Sequence, residues 1–266
     1  VATEALLECG DEQLLGELAS GRRIGALAVG LHLAPGAAFT AVRVTDGLLH
    51  GELTGIADAT AADVLLVPAD DGGLYAVEAD AAQITRRTSF DLTRPVATVR
   101  LDGAAGRRLG EAEPAVRRAL LAGAGLLASE QLGVADWTLT ETVRYLKERK
   151  QFNRPVGGFQ ALKHRLAQLW LEVVNLRAAA RNAADTLANG DLGDEVPVAV
   201  AVAQAYAAPV AVRAAEEALQ LHAGIGMTWE HPVHLYLKRA KADSIAYGTA
   251  GAHRAALAEL VDLQAP

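Results

Sequence analysis

The sequence predicts a mixed fold: a small all-β domain followed by a C-terminal four-helix bundle. Two observations lead there. Short apolar runs separated by turn residues fill residues 24–101, and from about Glu113 apolar residues recur at helical spacing with few interruptions. Composition supports a folded chain. At 266 residues, 51% hydrophobic and 21% charged, it carries too much apolar surface to stay disordered. That surface suffices for one large core or two smaller ones.

The elements follow in order. Residues 1–20 predict a helix capped by Thr3, with Leu6, Leu7, Leu14, Leu15 and Leu18 as its apolar stripe. Six apolar runs come next: Ile24–Val29, Phe39–Val44, Leu48–Leu53, Val64–Val67, Leu74–Val77 and Val96–Leu101. Asp46-Gly47 and Asp71-Gly72-Gly73 are turn signals between them, so six or seven strands are expected. One long helix is predicted from Pro114 to Lys150, and a second from Phe159 to Ala188, ended by Gly190. A third runs from Glu195 to Leu221 with a kink at Pro209. A fourth starts near Pro232, and a fifth covers Gly248 to Leu263. Long helices with apolar stripes make a bundle, and their many alanines permit close approach. The expected divisions are residues 1–21, 22–106 and 107–266.

Charge and composition exclude several classes. The net charge of −7 argues against a nucleic acid or an anionic membrane surface as partner. A single cysteine, Cys9, excludes an intrachain disulfide and a cysteine-cluster metal site, and makes the cytoplasm the expected compartment. The best membrane-span candidate, Val196–Val212, is interrupted by Pro197, Gln204 and Pro209 and falls short of the ~20 residues a span needs. No signal-peptide pattern opens the chain. It starts at Val1 rather than Met, so removal of something before it is expected.

Few residues suggest chemistry on their own. No Ser sits in a G-x-S-x-G elbow, and Cys9 has no electropositive setting. His231-x-x-His234, with His222 nearby, raises a metal site. Pro232 starts its helix after His231, however, so the two do not share a face, and no metal is expected. The run Arg149-Lys150-Gln151-Phe152-Asn153-Arg154-Pro155 ends one helix and shortly precedes another. Its cations either complement the helix dipole or, beside the next helix's amino end, hold a phosphate or pyrophosphate. Gln220 to Gly226 closes another helix; its glycines serve as a carboxyl cap or let backbone approach a ligand.

Two longer motifs contain these runs. Tyr145-x-x-x-Arg149-x-Gln151-Phe152-x-x-Pro155-Val156-Gly157-x-Phe159-Gln160 resembles the Y-x-x-x-R-x-Q-F-G-x-P-I-x-x-F-Q signature of acyl-CoA dehydrogenases. Downstream, Gln220-x-x-x-Gly224-x-Gly226-x-Thr228-x-Glu230-x-Pro232 resembles that family's Q-x-x-G-G-x-G-x-x-x-E-x-P stretch, and Leu235 to Lys241 its following helix. The resemblance implies the same fold and a flavin site shared by two subunits. It implies that Arg149, Gln151 and Phe152 meet the pyrophosphate and adenine end of FAD. Val156 and Phe159 then line it, and Gln220 and Gly224 are further contributors.

The first half departs from the pattern. The family's T-E-x-x-x-G-S-D stretch is replaced by Gly30-Leu31-His32-Leu33-Ala34-Pro35-Gly36, and its W-I-T/S-N by Gly55-Ile56-Ala57-Asp58. Tyr247 stands where the catalytic glutamate of Y-E-G-T belongs. A phenol with an ordinary pKa near 10 is a poor base for a thioester α-proton. The alternative family position for the base falls at about Gly123; Asp243 and Glu130 are the nearest other carboxylates. By the resemblance, residues 1–21 are expected to be a remnant of the family's N-terminal helical domain, the rest being absent, disordered or cut away. The expectation is a subunit without a catalytic residue in a heteromeric FAD-dependent acyl-CoA dehydrogenase, α2β2 by resemblance. A catalytic acyl-CoA dehydrogenase subunit would be its partner, and a steroid side-chain CoA its substrate, as in actinobacterial heteromers. Competing expectations are a homo-oligomeric dehydrogenase using a displaced base such as Asp243, a flavin-free scaffold, and an oxidase on the same fold.

Overall fold

The apolar residues at the start do not form one helix. Gly10, at φ 71°, stops the first helix, α1 (Ala2–Cys9), by returning its N–H to Leu6. Asp11 then accepts a 2.9 Å hydrogen bond from the Leu14 N–H and opens α2 (Glu12–Ala19). Thr3 lies inside α1 and caps nothing. The computed structural model describes residues 1–189, 193 and 195–263, so Gly190 lies outside the described residues.

Eight strands follow in two four-stranded sheets. They are β1 (Gly25–Leu27), β2 (Arg43–Thr45), β3 (Leu48–Ala57), β4 (Val64–Pro68), β5 (Gly73–Glu78), β6 (Gln83–Arg87), β7 (Val96–Ala105) and β8 (Arg107–Glu111). One sheet has the order β1-β4-β5-β8, the other β2-β3-β7-β6, and only β1–β4 is a parallel pair. Asp46 and Gly47 form the predicted two-residue turn: Thr45 pairs with Leu48, and both turn residues have positive φ, 51° and 78°. The run Phe39–Val44 contributes strand only from Arg43. Leu49, Leu53, Ile56, Val99 and Leu101 from one sheet share a core with Leu65, Val67, Tyr75 and Val77 from the other.

The helices match their stripes closely. They are α3 (Ala112–Glu148), α4 (Gln160–Asn189), α5 (Glu195–His222), α6 (Val233–Asp243) and α7 (Ala250–Leu260). Two compact units result, residues 1–123 and residues from 124 onward. In the second, α5 touches α4, α6 and α7. Leu169, Val173, Leu176 and Ala180 of α4 pack with Ala128 and Ala135 of α3 and Ala203, Ala207 and Val210 of α5.

Pro209 lies within α5 without ending it. A proline has no N–H for the carbonyl four residues back, that of Ala205. Arg254 of α7 reaches that carbonyl at 3.4 Å. Contrary to the expectation drawn from 196–212, Glu195–Met227 is long and apolar enough to cross a membrane by length and composition. Its most apolar window has a mean hydropathy of 1.5 and is 56% buried by the rest of the chain, as befits the core helix of a bundle.

Candidate functional site

The basic run forms a hairpin at the end of α3. The Arg149 N–H still bonds the Tyr145 carbonyl at 2.8 Å, and then the chain leaves the helix. Strands β9 (Lys150–Gln151) and β10 (Arg154–Pro155) pair antiparallel, Gln151 with Arg154 and Lys150 with Pro155. Only Phe152 and Asn153 connect them, both left-handed, at φ 53° and 60°. That is the turn conformation a two-residue hairpin favours. Asn tolerates it; Phe is held there at a cost of about 1–2 kcal/mol. Burial does not compensate, because Phe152 is 87% exposed. Its ring lies edge-on to Phe159 with 6.0 Å between ring centres, and the Arg154 guanidinium lies 3.9 Å over the Phe159 ring. A strained aromatic turned to solvent is an outlier of the kind that collects at binding sites.

Several surrounding cations lack an ion-pair partner among the described residues. Lys147, Arg149, Lys150 and Lys163 have none there, while nearby Glu148 is taken by Arg144 at 2.9 Å. The hairpin then turns through a single 3-10 turn, Val156–Gly158, into the amino end of α4. A Cβ on Gly157 would stand 3.0 Å from the Leu146 carbonyl oxygen, so the turn packs directly against α3. Exposed cations, an exposed aromatic ring and free helix amides together suit a phosphate-bearing, planar ligand.

The second motif ends α5. Gln220 and Gly224 are both exposed, and the space beside Gly224 is open. Ala223 sits at φ 53° although it is not glycine, and a Cβ on Gly226 would lie 2.7 Å from the Leu219 carbonyl oxygen. The structure brings this loop to the end of α3 that carries the hairpin. The Tyr145 ring, one helical turn before Arg149, stacks on His222 at 4.5 Å between ring centres. His222, between Gln220 and Gly224, is 1% exposed.

The same contact adds Glu141 to the His222 and His231 pair that the sequence had placed near each other. Ligand atoms of Glu141, His222 and His231 lie within 4.8 Å of one another. Hydrogen bonding from Arg144 holds the Glu141 carboxyl below its ordinary pKa, against some desolvation. Burial, then the neighbouring His222, pushes the His231 imidazole pKa down, while Glu141 pulls it up.

The turn expected to carry the base is formed, but without a carboxylate. Tyr247, at φ 51°, and Gly248, at 98°, lead into Thr249, whose side chain caps α7. His253 Nε2 donates to the Tyr247 carbonyl at 2.9 Å and fixes the turn. Asp243 has no solvent exposure, and its backbone carbonyl accepts from Gln131 at 3.2 Å, so it does not face an open cleft. Glu130 pairs with Arg239 at 2.5 Å, and Gly123 offers no side chain.

His253 makes this turn sensitive to pH. It is 3% exposed, and burial pushes its pKa down, partly offset by the Tyr247 carbonyl. The unfolded imidazole gains its proton near pH 6.5. The folded one does so only lower, so the stabilisation is complete above 6.5 and is lost as pH falls through the folded pKa. Thermal melts should show stability falling between pH 7 and 5.5, and falling less in His253→Gln.

In the first unit, the two departing stretches are neighbours. The Leu31 N–H bonds the Gly55 carbonyl at 2.9 Å, and Gly30 bridges Ile56. Asp58 is left-handed at φ 60° and begins a 3-10 turn. This corner offers backbone groups and the exposed His32, but no Thr, Ser or Trp side chain from either stretch.

Comparison with known proteins follows this division. Residues 114–261 match the acyl-CoA dehydrogenase C-terminal domain. The chain is 36% identical over 233 residues to acyl-CoA dehydrogenase IpdE2 of Mycobacterium tuberculosis, a match covering 86% of this chain and 60% of that protein. It therefore spans less than two thirds of that relative's length. Among solved structures, the ChsE4–ChsE5 complex from Mycobacterium tuberculosis superposes with a TM-score of 0.84 at 30% identity, covering 100% of this chain and 74% of the other. The Tcur3481–Tcur3483 steroid ACAD gives 0.83 at 30% identity, covering 98% and 74%. With more than half its length matching the family's C-terminal domain and the same fold throughout, the chain belongs to the acyl-CoA dehydrogenase family.

Proposed function

We propose that this chain is the cofactor-anchoring subunit of a heteromeric acyl-CoA dehydrogenase. It holds the pyrophosphate and adenosine end of FAD, while a partner subunit supplies the flavin-ring pocket and the carboxylate base. The reading rests on one contrast. The Arg149 hairpin presents cations without ion-pair partners among the described residues and an exposed ring, whereas the turn that should carry the base presents Tyr247. When bound, FAD supplies the acceptor for the hydride that leaves the acyl β-carbon. Arg149 would donate to phosphate oxygens and Phe152 would cover the adenine. Gln151, Val156 and Phe159 would line that end, with Gln220 and Gly224 closing the other side. The carboxylate that removes the α-proton belongs to the partner.

Two further observations support a partner. Ile225, Met227 and Trp229 are 41%, 78% and 72% exposed in the loop after α5, and Trp170 and Leu171 on α4 are 59% and 48% exposed. Large exposed apolar groups on one unit mark contact surface. The similar structures include a two-component complex and a steroid ACAD, which supports a partner subunit and a steroid-derived substrate; we take these to be an α2β2 assembly and a steroid side-chain CoA.

Paired purification tests the proposal: the chain alone, and the chain co-produced with a dehydrogenase encoded beside it. A colourless lone chain and a yellow complex with one FAD per heterodimer are expected. A yellow lone chain that reduces its flavin with an acyl-CoA would overturn the split. Within the complex, Tyr247→Phe should leave kcat within about twofold, because loss of a true general base costs about 10²–10⁴-fold.

A further inference from the structure

We propose that Glu141, His222 and His231 form a binding site for a zinc-class divalent cation, separate from the flavin contacts. The three residues come from three places in the chain: Glu141 from α3, His222 from the last turn of α5, and His231 from the loop before α6. Their ligand atoms already lie within 4.8 Å of one another. Around a tetrahedral zinc with bonds of about 2.0–2.1 Å, ligand atoms sit roughly 3.3 Å apart. The set must therefore close by at most about 1.5 Å. His222 is fixed, while His231 sits on irregular chain and Glu141 has a flexible side chain, so the movement falls on these two.

His222 carries the argument. Its side chain is buried, and Nδ1 lies 2.7 Å from the Ala218 carbonyl oxygen. A carbonyl only accepts, so Nδ1 bears the hydrogen and Nε2 is left with its lone pair. That Nε2 is buried and has no hydrogen-bond partner among the described residues. A buried acceptor without a partner costs about 1–3 kcal/mol, and this one has an imidazole and a carboxylate beside it. An imidazole whose other nitrogen is tied to a backbone carbonyl is the arrangement that prepares a metal ligand. The Tyr145 ring, stacked at 4.5 Å, locks the plane of the imidazole further.

The costs are identifiable. His231 Nδ1 accepts a long 3.3 Å bond from the Val233 N–H, which ligation through either ring nitrogen would give up. Arg144 bonds both Glu141 oxygens and brings a positive charge. Its side chain is 57% exposed and already shares Glu148, so it has somewhere to go. Three ligands from α3, α5 and the following loop would then be joined by one ion. That ion would hold the Gln220–Gly224 loop against the helix end carrying Arg149, without itself touching the flavin.

The experiment titrates Zn²⁺ calorimetrically into the purified protein, freed of metal with EDTA and of any histidine tag, in the assembly in which it is isolated. One Zn²⁺ per chain is expected, with Kd of about 1 μM or tighter. His231→Ala and Glu141→Gln should each weaken binding at least tenfold. His164→Ala, on the exposed side of α4, should leave it unchanged. His222 is buried and its alanine variant risks misfolding, so the two partly exposed ligands carry the test. Kd above about 100 μM, or tight binding that survives both substitutions, would overturn the proposal. Arg149→Ala should leave zinc affinity unchanged, which separates this site from the flavin reading.

Discussion

Arg149→Ala should strip FAD from the assembled enzyme without unfolding it. Arg149 is exposed at the end of α3, makes no ion pair among the described residues, and contributes only its backbone to local structure. Its removal therefore costs little stability, and the melting temperature should move by less than about 2 °C. The cost falls on the ligand. A charge-assisted hydrogen bond is worth about 1.5–3 kcal/mol, or roughly 10–150-fold in affinity. The ratio of flavin to protein absorbance after gel filtration should drop accordingly, and added FAD should restore it. Arg149→Lys keeps the charge but loses the paired donors, so it should fall between the wild type and alanine. Full flavin content in Arg149→Ala would mean that the hairpin's charge serves another anion. The cofactor half of the proposed function would then fail, whatever the partner supplies.

The basic run is visible in the sequence because its residues are consecutive, although the hairpin it forms is not. Arg149 to Pro155 are consecutive, and their fit to an anion needs only a helix end, a tight turn and a second helix start. The helices were legible for a related reason: long apolar stripes fix both face and length, and α3, α4 and α5 end within about two residues of the expected positions. What escaped were features set by tertiary context. β6 (Gln83–Arg87) and β8 (Arg107–Glu111) are mostly solvated edge strands with no apolar run, and only pairing with β7 and β5 makes them strands. The single helix read over residues 1–20 splits because Gly10 and Asp11 supply a stop and a start in succession. Glu141 meets His222 and His231 only because Tyr145 brings the end of α3 against the end of α5. His231 packs against His222 and lies near Glu141, contacts that the helical spacing of His231 and His234 does not encode.

Asn153 stands where the signature has glycine, and Ala223 at the first glycine of the second motif, and both have positive φ in this chain. Left-handed backbone costs a non-glycine residue such as Ala223 about 1–2 kcal/mol, and a Cβ on nearby Gly226 would lie 2.7 Å from the Leu219 carbonyl oxygen.

The largest effect on folding is expected from Leu176→Ala. Leu176 is 0% exposed, at the middle of the α4 face that packs between α3 and α5. Removing a buried leucine side chain costs about 2–5 kcal/mol, depending on how far the site collapses. Collapse is limited where the facing residues are alanines, Ala128, Ala135, Ala203 and Ala207, whose short side chains cannot extend into the gap. The cost should lie in the upper part of that range and lower the melting temperature of the helical unit by roughly 10 °C. Calorimetry would check it, with Leu176→Met, which nearly conserves volume, costing less than about 1.5 kcal/mol. The two variants then separate binding from folding. Leu176 lies in the bundle core, away from the exposed hairpin, so at low temperature Leu176→Ala should retain flavin normally and lose it only as the unit melts. Arg149→Ala should show the reverse, low flavin at every temperature on a unit that melts where the wild type does. If Leu176→Ala loses flavin well below its melting transition, the hairpin depends on the bundle core more than its local hydrogen bonds imply.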